Sequence, residues 1–151
     1  MPVKRKSRIA ERREKLDGSV TYKEWLGKYV EKAEQQNEKV KAALQAVMVE
    51  NNIRGELMYP PPKIDFSAYR FDKEHTQGDL HPHNVNEEEA RRFIRDAYFL
   101  LIKYNGNSYN YYGAEGAAFV RMDLKTIRTA FKAEEYDDKI KKLIEVCENG
   151  R

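Results

Sequence analysis

All three histidines of the chain fall within nine residues of one another, in the stretch HTQGDLHPHNV, as His75, His81 and His83. An imidazole titrates near neutrality, so it can move protons, and it can also ligate a metal. An extended His81-x-His83 segment sets two nitrogens on one side, with His75, Asp72 or Asp79 nearby to complete a shell. Yet no second Cys or His cluster exists, and the spacing matches no zinc motif. One loop would have to supply most of the ligands, so neither a metal nor a cofactor is expected. The single cysteine, Cys147, falls on the apolar face of a C-terminal helix, where a thiol is ordinarily buried and inert. GAEGAAF carries glycines but lacks the lysine and Ser/Thr of a phosphate-binding loop.

What remains for these residue types is metal-independent phosphodiester chemistry on RNA. It needs a base for the 2′-hydroxyl proton, an acid for the leaving 5′-oxygen, and donors that hold the charge on phosphorus. Histidine suits the proton transfers, and arginine suits the phosphate through its fork of N–H groups. In TIRTAFK, strand alternation predicts Ile127, Thr129 and Phe131 on one face, with Arg128, Ala130 and Lys132 on the other. Two cations around a small alanine make a shallow positive groove, and Tyr104, Tyr109, Tyr111 and Tyr112 offer rings on which bases stack. The same residues also read as a half-exposed edge strand with solvated cations and ordinary strand-forming tyrosines.

The elements that position these groups follow from periodicity and capping. Thr21 with Glu24 forms a capping-box pattern, and Leu26, Tyr29, Val30, Ala33, Val40, Ala43, Leu44, Val47 and Met48 recur at helical spacing. A helix over about residues 22 to 52 is predicted, ended by a glycine cap at Gly55. Pro60 to Pro62 then forbid helix and central strand and read as a linker. Beyond the histidine loop, Asn86 and Glu89 cap a second helix with the apolar face Ala90, Phe93, Ile94 and Ala97. FLLIKY, an Asn105-Gly106 turn and SYNYYG read as one hairpin, AAFVRMD and TIRTAFK as another. A last helix from about Asp137 to Cys147 presents Ile140, Leu143, Ile144 and Cys147. The expected class is α+β, with a helix packed on a four-stranded antiparallel sheet and a helical N-terminal extension. Three segments are expected: residues 1–58 as basic arm and long helix, 59–63 as proline-rich linker, and 64–151 as the α+β domain.

Composition bounds the class. Charged residues make up 35% of the 151 and hydrophobic ones 40%, enough to build a core while excluding a membrane-spanning run. One cysteine allows no internal disulfide, so a cytoplasmic location is expected. Net charge is +3, but the first fifteen residues carry seven Lys or Arg against Glu11 and Glu14, leaving the remainder at −2. A basic arm of this kind binds nucleic acid through phosphates, or is simply a solvated terminus.

The ordered series DFSAYRFD, HPHNV, NEEEARRFIRDAYFLLIKYNG, NYYGAEGAAFV and TIRTAFKAEEYDD, spanning about residues 64 to 140, resembles the phage-associated nuclease-like domains of the barnase–EndoU–colicin–RelE (BECR) class. Such domains occur in phage minor head proteins and polymorphic toxins. The resemblance implies a small α+β fold and ribonuclease activity without a metal. It implies His83, or His81 in its place, as the histidine before the helix, Tyr111 and Tyr112 as the aromatic strand pair, and Arg128, Thr129 and Lys132 as the closing group. His83, Tyr112, Arg128 and Thr129 are the expected catalytic residues, and His81, Tyr111 and Lys132 the expected substrate-binding ones. Arg128 and Thr129 share a face only if a bulge or strand end interrupts alternation. The rival expectation is a non-catalytic phage protein that binds nucleic acid or a host protein, or an accessory of the phage head.

Overall fold

The computed structural model describes residues 21–77 and 83–150, without the side chains of His75 and Gln77. It divides into two units, with the boundary between Lys39 and Val40. In the first unit the described residues begin helix α1, Tyr22–Glu50. Its start is capped as expected: the Glu24 amide donates to Thr21 Oγ1 at 3.2 Å, and the Thr21 amide donates back to Glu24 Oε2 at 3.4 Å. The rings of Tyr22, Trp25 and Tyr29 stack in succession along this turn.

The second unit holds the sheet. Its elements are β1 (Glu56–Met58), β2 (Arg70–Phe71), the short helix α2 (Lys73–Gln77), α3 (Glu87–Arg95), β3 (Phe99–Lys103), β4 (Ser108–Tyr112), β5 (Gly116–Arg121), β6 (Thr126–Lys132) and α4 (Asp138–Asn149). The strands lie in the order β1-β3-β4-β5-β6-β2. Neighbours pair antiparallel except β2, which runs parallel to β6. The fold is therefore α+β, but its sheet has six strands where four were expected. The four-stranded meander β3 to β6 is present, and the two extra edges are strands of three and two residues. Elements that short hold their pairing through non-local contacts such as Leu57 with Leu101, and no local periodicity announces them.

Both faces of the sheet are covered. On one, Val40, Leu44 and Met48 of α1 and Ile140, Leu143 and Cys147 of α4 pack with Leu57, Phe99, Leu101, Tyr112, Ala117 and Tyr136. On the other, Ala90 and Phe93 of α3, with Phe66 and Val85, pack on Leu100, Tyr111, Ala118, Val120, Ile127 and Ala130. Each fully buried aliphatic side chain contributes about 1.5–3 kcal/mol. Two-sided burial explains why β3 reads FLLI, an unbroken apolar run, and not an alternation. It also means that the last turns of α1 and the segment around Pro60 to Pro62 lie inside the compact unit 40–151.

Caps fix the helix ends. Asn86 and Glu89 form the capping box expected of α3, with the Glu89 amide donating to Asn86 Oδ1 at 2.8 Å. Asp137 caps α4 by accepting from the Ile140 amide at 2.9 Å. At the end of α1 the cap is Asn52, not Gly55. Asn52 takes φ 53°, the Ile53 amide donates to Met48 O at 2.9 Å and the Asn52 amide to Val49 O at 3.3 Å, a Schellman closure. Gly55, at φ 122°, serves close approach instead: a Cβ there would sit 3.2 Å from Ile102 O on β3.

Candidate functional site

The segment that carries His83 is anchored to β6 through one buried threonine. The His83 amide donates to Thr76 O at 3.1 Å, and Thr76 Oγ1 donates to Arg128 O at 3.3 Å. Thr76 is fully buried, so this tie joins the end of α2, a residue three positions before α3's cap Asn86, and the middle of β6. The Asp72 amide donates to Ile127 O at 2.9 Å, which holds the start of α2 to the same strand.

Arg128 sits where the β5–β6 ladder breaks register. Phe119 pairs with Thr129 and Val120 with Ile127, which leaves Arg128 as the extra residue of a β-bulge. The bulge changes the face assignment read from strict alternation. Ile127 and Ala130, three residues apart, both join the α3-side core, while Phe131 packs on the α1/α4 side. Lys132 pairs with Gly116 and follows Ala130 to the α3 side; Thr129, opposite Phe119, goes with Phe131. So the expected Arg128/Ala130/Lys132 face does not exist as drawn, because one inserted residue inverts the parity downstream of it. The same bulge removes the strict opposition between Arg128 and Thr129.

The His83 ring lies beside Phe131, with centroids 5.8 Å apart, and its Nδ1 lies 2.9 Å from Glu135 Oε1. Its side chain keeps 22% of its surface exposed. In the neutral ring, an Nδ1–H donated to Glu135 leaves the lone pair on Nε2, the tautomer of a general base. Glu135 is 40% exposed, so its role is to orient the ring more than to bind it tightly. Glu135 stands in a short 3-10 turn, Ala133–Glu135, directly after β6.

Arg128 Nε is 3.4 Å from Asp72 Oδ2, an ion pair without hydrogen-bond alignment, and the Nε atom itself is buried with no hydrogen-bond partner. The side chain as a whole is 40% exposed. The guanidinium thus has its Nε buried beside Asp72 on a side chain that is otherwise partly exposed.

Of the residues expected to act, the fold ties the His83 backbone through Thr76 to the carbonyl of Arg128, next to Thr129 on β6, while the His83 ring lies at Phe131 and Glu135 and the Arg128 side chain at Asp72. Tyr112 is elsewhere, 5% exposed in the α1/α4-side core and packed against Phe99, Phe119 and Tyr136. Burial first, then the charge of Asp137, pushes its phenol up, so it stays protonated and structural. Tyr111 faces the opposite core, 1% exposed, with its phenol pushed up by burial. Neighbouring strand residues cannot both face one site, and here each faces a different covered side. His81 lies outside the described residues. Sequence reasoning missed Glu135 and Thr76, and named Asp72 only as a possible metal ligand, not as the partner of Arg128. Glu135 is 52 positions from His83, and AEEYDD carries no signal beyond acidity.

Among the described residues no three His, Cys, Asp or Glu side chains gather in a group that could hold a metal ion. Among them too, no helix is long and apolar enough to cross a membrane. No protein-family model, no curated protein and no solved structure matches the chain.

Proposed function

We propose that the chain is a nuclease-like protein of the BECR type that cleaves RNA by internal transesterification without a metal, in a phage-associated setting. The observation that carries this reading is the His83–Glu135 pair, 2.9 Å apart, tied through Thr76 to the segment that carries Arg128. A carboxylate on Nδ1 orients the imidazole and selects the tautomer with its lone pair on Nε2, as in other proton-transfer dyads. His83 Nε2 takes the 2′-hydroxyl proton and the 2′-oxygen forms its bond to phosphorus. The bond from phosphorus to the 5′-oxygen breaks, and that oxygen leaves with a proton from water. The products are a 2′,3′-cyclic phosphate and a free 5′-hydroxyl. Arg128 holds the non-bridging oxygens, and Thr129, on the strand beside it, is a candidate second donor. Tyr112 and Tyr111 have no part in this chemistry, since both are core residues.

The test is cleavage of a mixed-sequence RNA in EDTA, with product ends resolved by chromatography. Wild type yields cyclic phosphate ends. His83→Ala loses about 10²–10⁴-fold in rate, as expected for a positioned acid–base group, and Arg128→Ala about 10²–10³-fold. Loss of cleavage on adding EDTA, or equal activity of wild type and both variants, overturns the reading. RNA binding without turnover identifies the non-catalytic rival.

A further inference from the structure

On the α3 side of the sheet, with none of His83, Arg128 or Glu135 in its lining, the chain between β1 and β2 folds over the C-terminal half of α3 and leaves a cleft of about 560 Å³. We propose that this cleft is a binding site for a planar aromatic anion: a ring with a hydrogen-bond acceptor on one edge and a phosphate or carboxylate on the other. The proposal is independent of the nuclease reading.

Four observations carry it. The volume lies within the range of small-molecule sites, and most of the lining is apolar, with Pro60 to Pro62, Phe66, Ile94 and Ala97. The aromatic wall is already in place, since Phe66 meets Tyr111 edge-on at 5.9 Å and Tyr69 edge-on at 4.9 Å. The charged lining is of one sign: Lys63, Arg91 and Arg95, with no carboxylate among the lining residues. Lastly, Tyr111 lines the cleft, is 1% exposed, and its hydroxyl has no hydrogen-bond partner. A buried donor without an acceptor is costly and rare, and an acceptor on a bound ring removes that cost.

The two arginines divide the work. Arg91 is fixed, its Nε donating to Glu87 Oε2 at 2.9 Å, its Nη1 to Phe66 O at 2.8 Å and its Nη2 to Tyr69 O at 2.8 Å. It builds the wall and holds the loop. Arg95 is 71% exposed, and its contact to the adjacent Asp96 is long, at 3.4 Å. It can turn toward an anion at the mouth, as can the exposed Lys63.

The experiment is calorimetric titration of the full chain, with NMR shift mapping, using uridine 5′-monophosphate and indole-3-acetate as the two anionic probes and uridine and indole as their uncharged counterparts. Saturable binding of either anion at millimolar or lower concentration is expected, about fivefold or more tighter than its uncharged counterpart. The anion that binds better tells whether the mouth is shaped for phosphate or carboxylate. Tyr111→Phe, which keeps the ring and the core, weakens binding about tenfold. Arg95→Gln removes the preference for the charged probe. No saturable binding of either anion up to about 5 mM, or Tyr111→Phe binding within twofold of wild type, overturns the proposal.

Discussion

Tyr111→Phe and Tyr136→Phe are the same chemical change in the two cores that flank the sheet, and the structure expects opposite signs from them. Tyr136 is 6% exposed, and its hydroxyl donates to Gly113 O at 2.8 Å and accepts from the Gly113 amide at 3.3 Å. Removing it leaves the buried Gly113 C=O bare, while the Gly113 N–H keeps Gly116 O at 3.1 Å, and the loss costs about 1–3 kcal/mol. Tyr111 is buried at least as deeply, but its hydroxyl has no partner to lose. Replacing it with hydrogen removes only the desolvation penalty of an unsatisfied group, so the ligand-free protein gains about 1 kcal/mol. For a compact unit of about 110 residues, an unfolding entropy of roughly 2.1 cal/mol/K per residue makes 1 kcal/mol worth about 4 °C in Tm. Thermal scans followed by circular dichroism, with urea titrations to confirm an unchanged slope, measure both variants. Tyr111→Phe rises by about 4 °C and Tyr136→Phe falls by that much or more. A fall of 4 °C in Tyr111→Phe refutes the reasoning, because only a satisfied hydroxyl destabilises when removed.

The phenols of Tyr111, Tyr112 and Tyr136 are all held above their ordinary value near 10 by burial. The unfolded chain ionises first as pH rises, so their contribution is whole below pH 10 and is lost above it, by about 1 kcal/mol per tyrosine between pH 10 and 11; a urea midpoint that stays level across that interval sinks the expectation. Gly116→Ala places a Cβ against the Phe93 ring and 2.6 Å from Phe131 O, between α3 and β6. Backbone on one side and a core ring on the other cannot both yield, so a loss of about 1–3 kcal/mol is expected in chemical denaturation, and a neutral result disproves the close approach. Thr76→Val keeps the volume and removes the hydroxyl that donates to Arg128 O; about 1–2 kcal/mol of stability goes with it, and RNA cleavage falls while Thr76→Ser retains both.

Where a local rule governs, the sequence was legible. Asn86 and Glu89 started α3, Asn105-Gly106 turned the first hairpin with φ values of 56° and 89°, and Asp137 opened α4. Where the outcome depended on what packs from elsewhere, it was not. FLLIKY was legible as a strand but not its cover on both sides, because the second cover, the end of α1, lies more than forty residues upstream and carries no mark of its destination. The same two-sided cover sends Tyr111 and Tyr112 into different cores, although side by side in a strand they look like a stacking platform. The place of His83 before a capped helix was legible, but its partner Glu135 was not.

The β6 bulge shows why the least readable part of the chain is also where the candidate site lies. TIRTAFK fits unbroken alternation, and nothing in its composition demands an extra residue. Without one, an Ile127 that faces α3 would take Thr129 and Phe131 with it and send Ala130 to the other side. Inserting Arg128 lets Ile127 and Ala130 fill the α3-side core while Phe131 meets Phe119, Tyr136 and the His83 ring. The residue that absorbs the parity change cannot be a core side chain, since the ladder gives it no partner opposite, and a long, partly exposed cation fits there. Its carbonyl takes the Thr76 hydroxyl, and that bond draws the His83 segment to the strand. Packing two cores with one strand thus places Arg128 at an irregularity, and the backbone carbonyl at that irregularity is where Thr76 ties the His83 segment to β6.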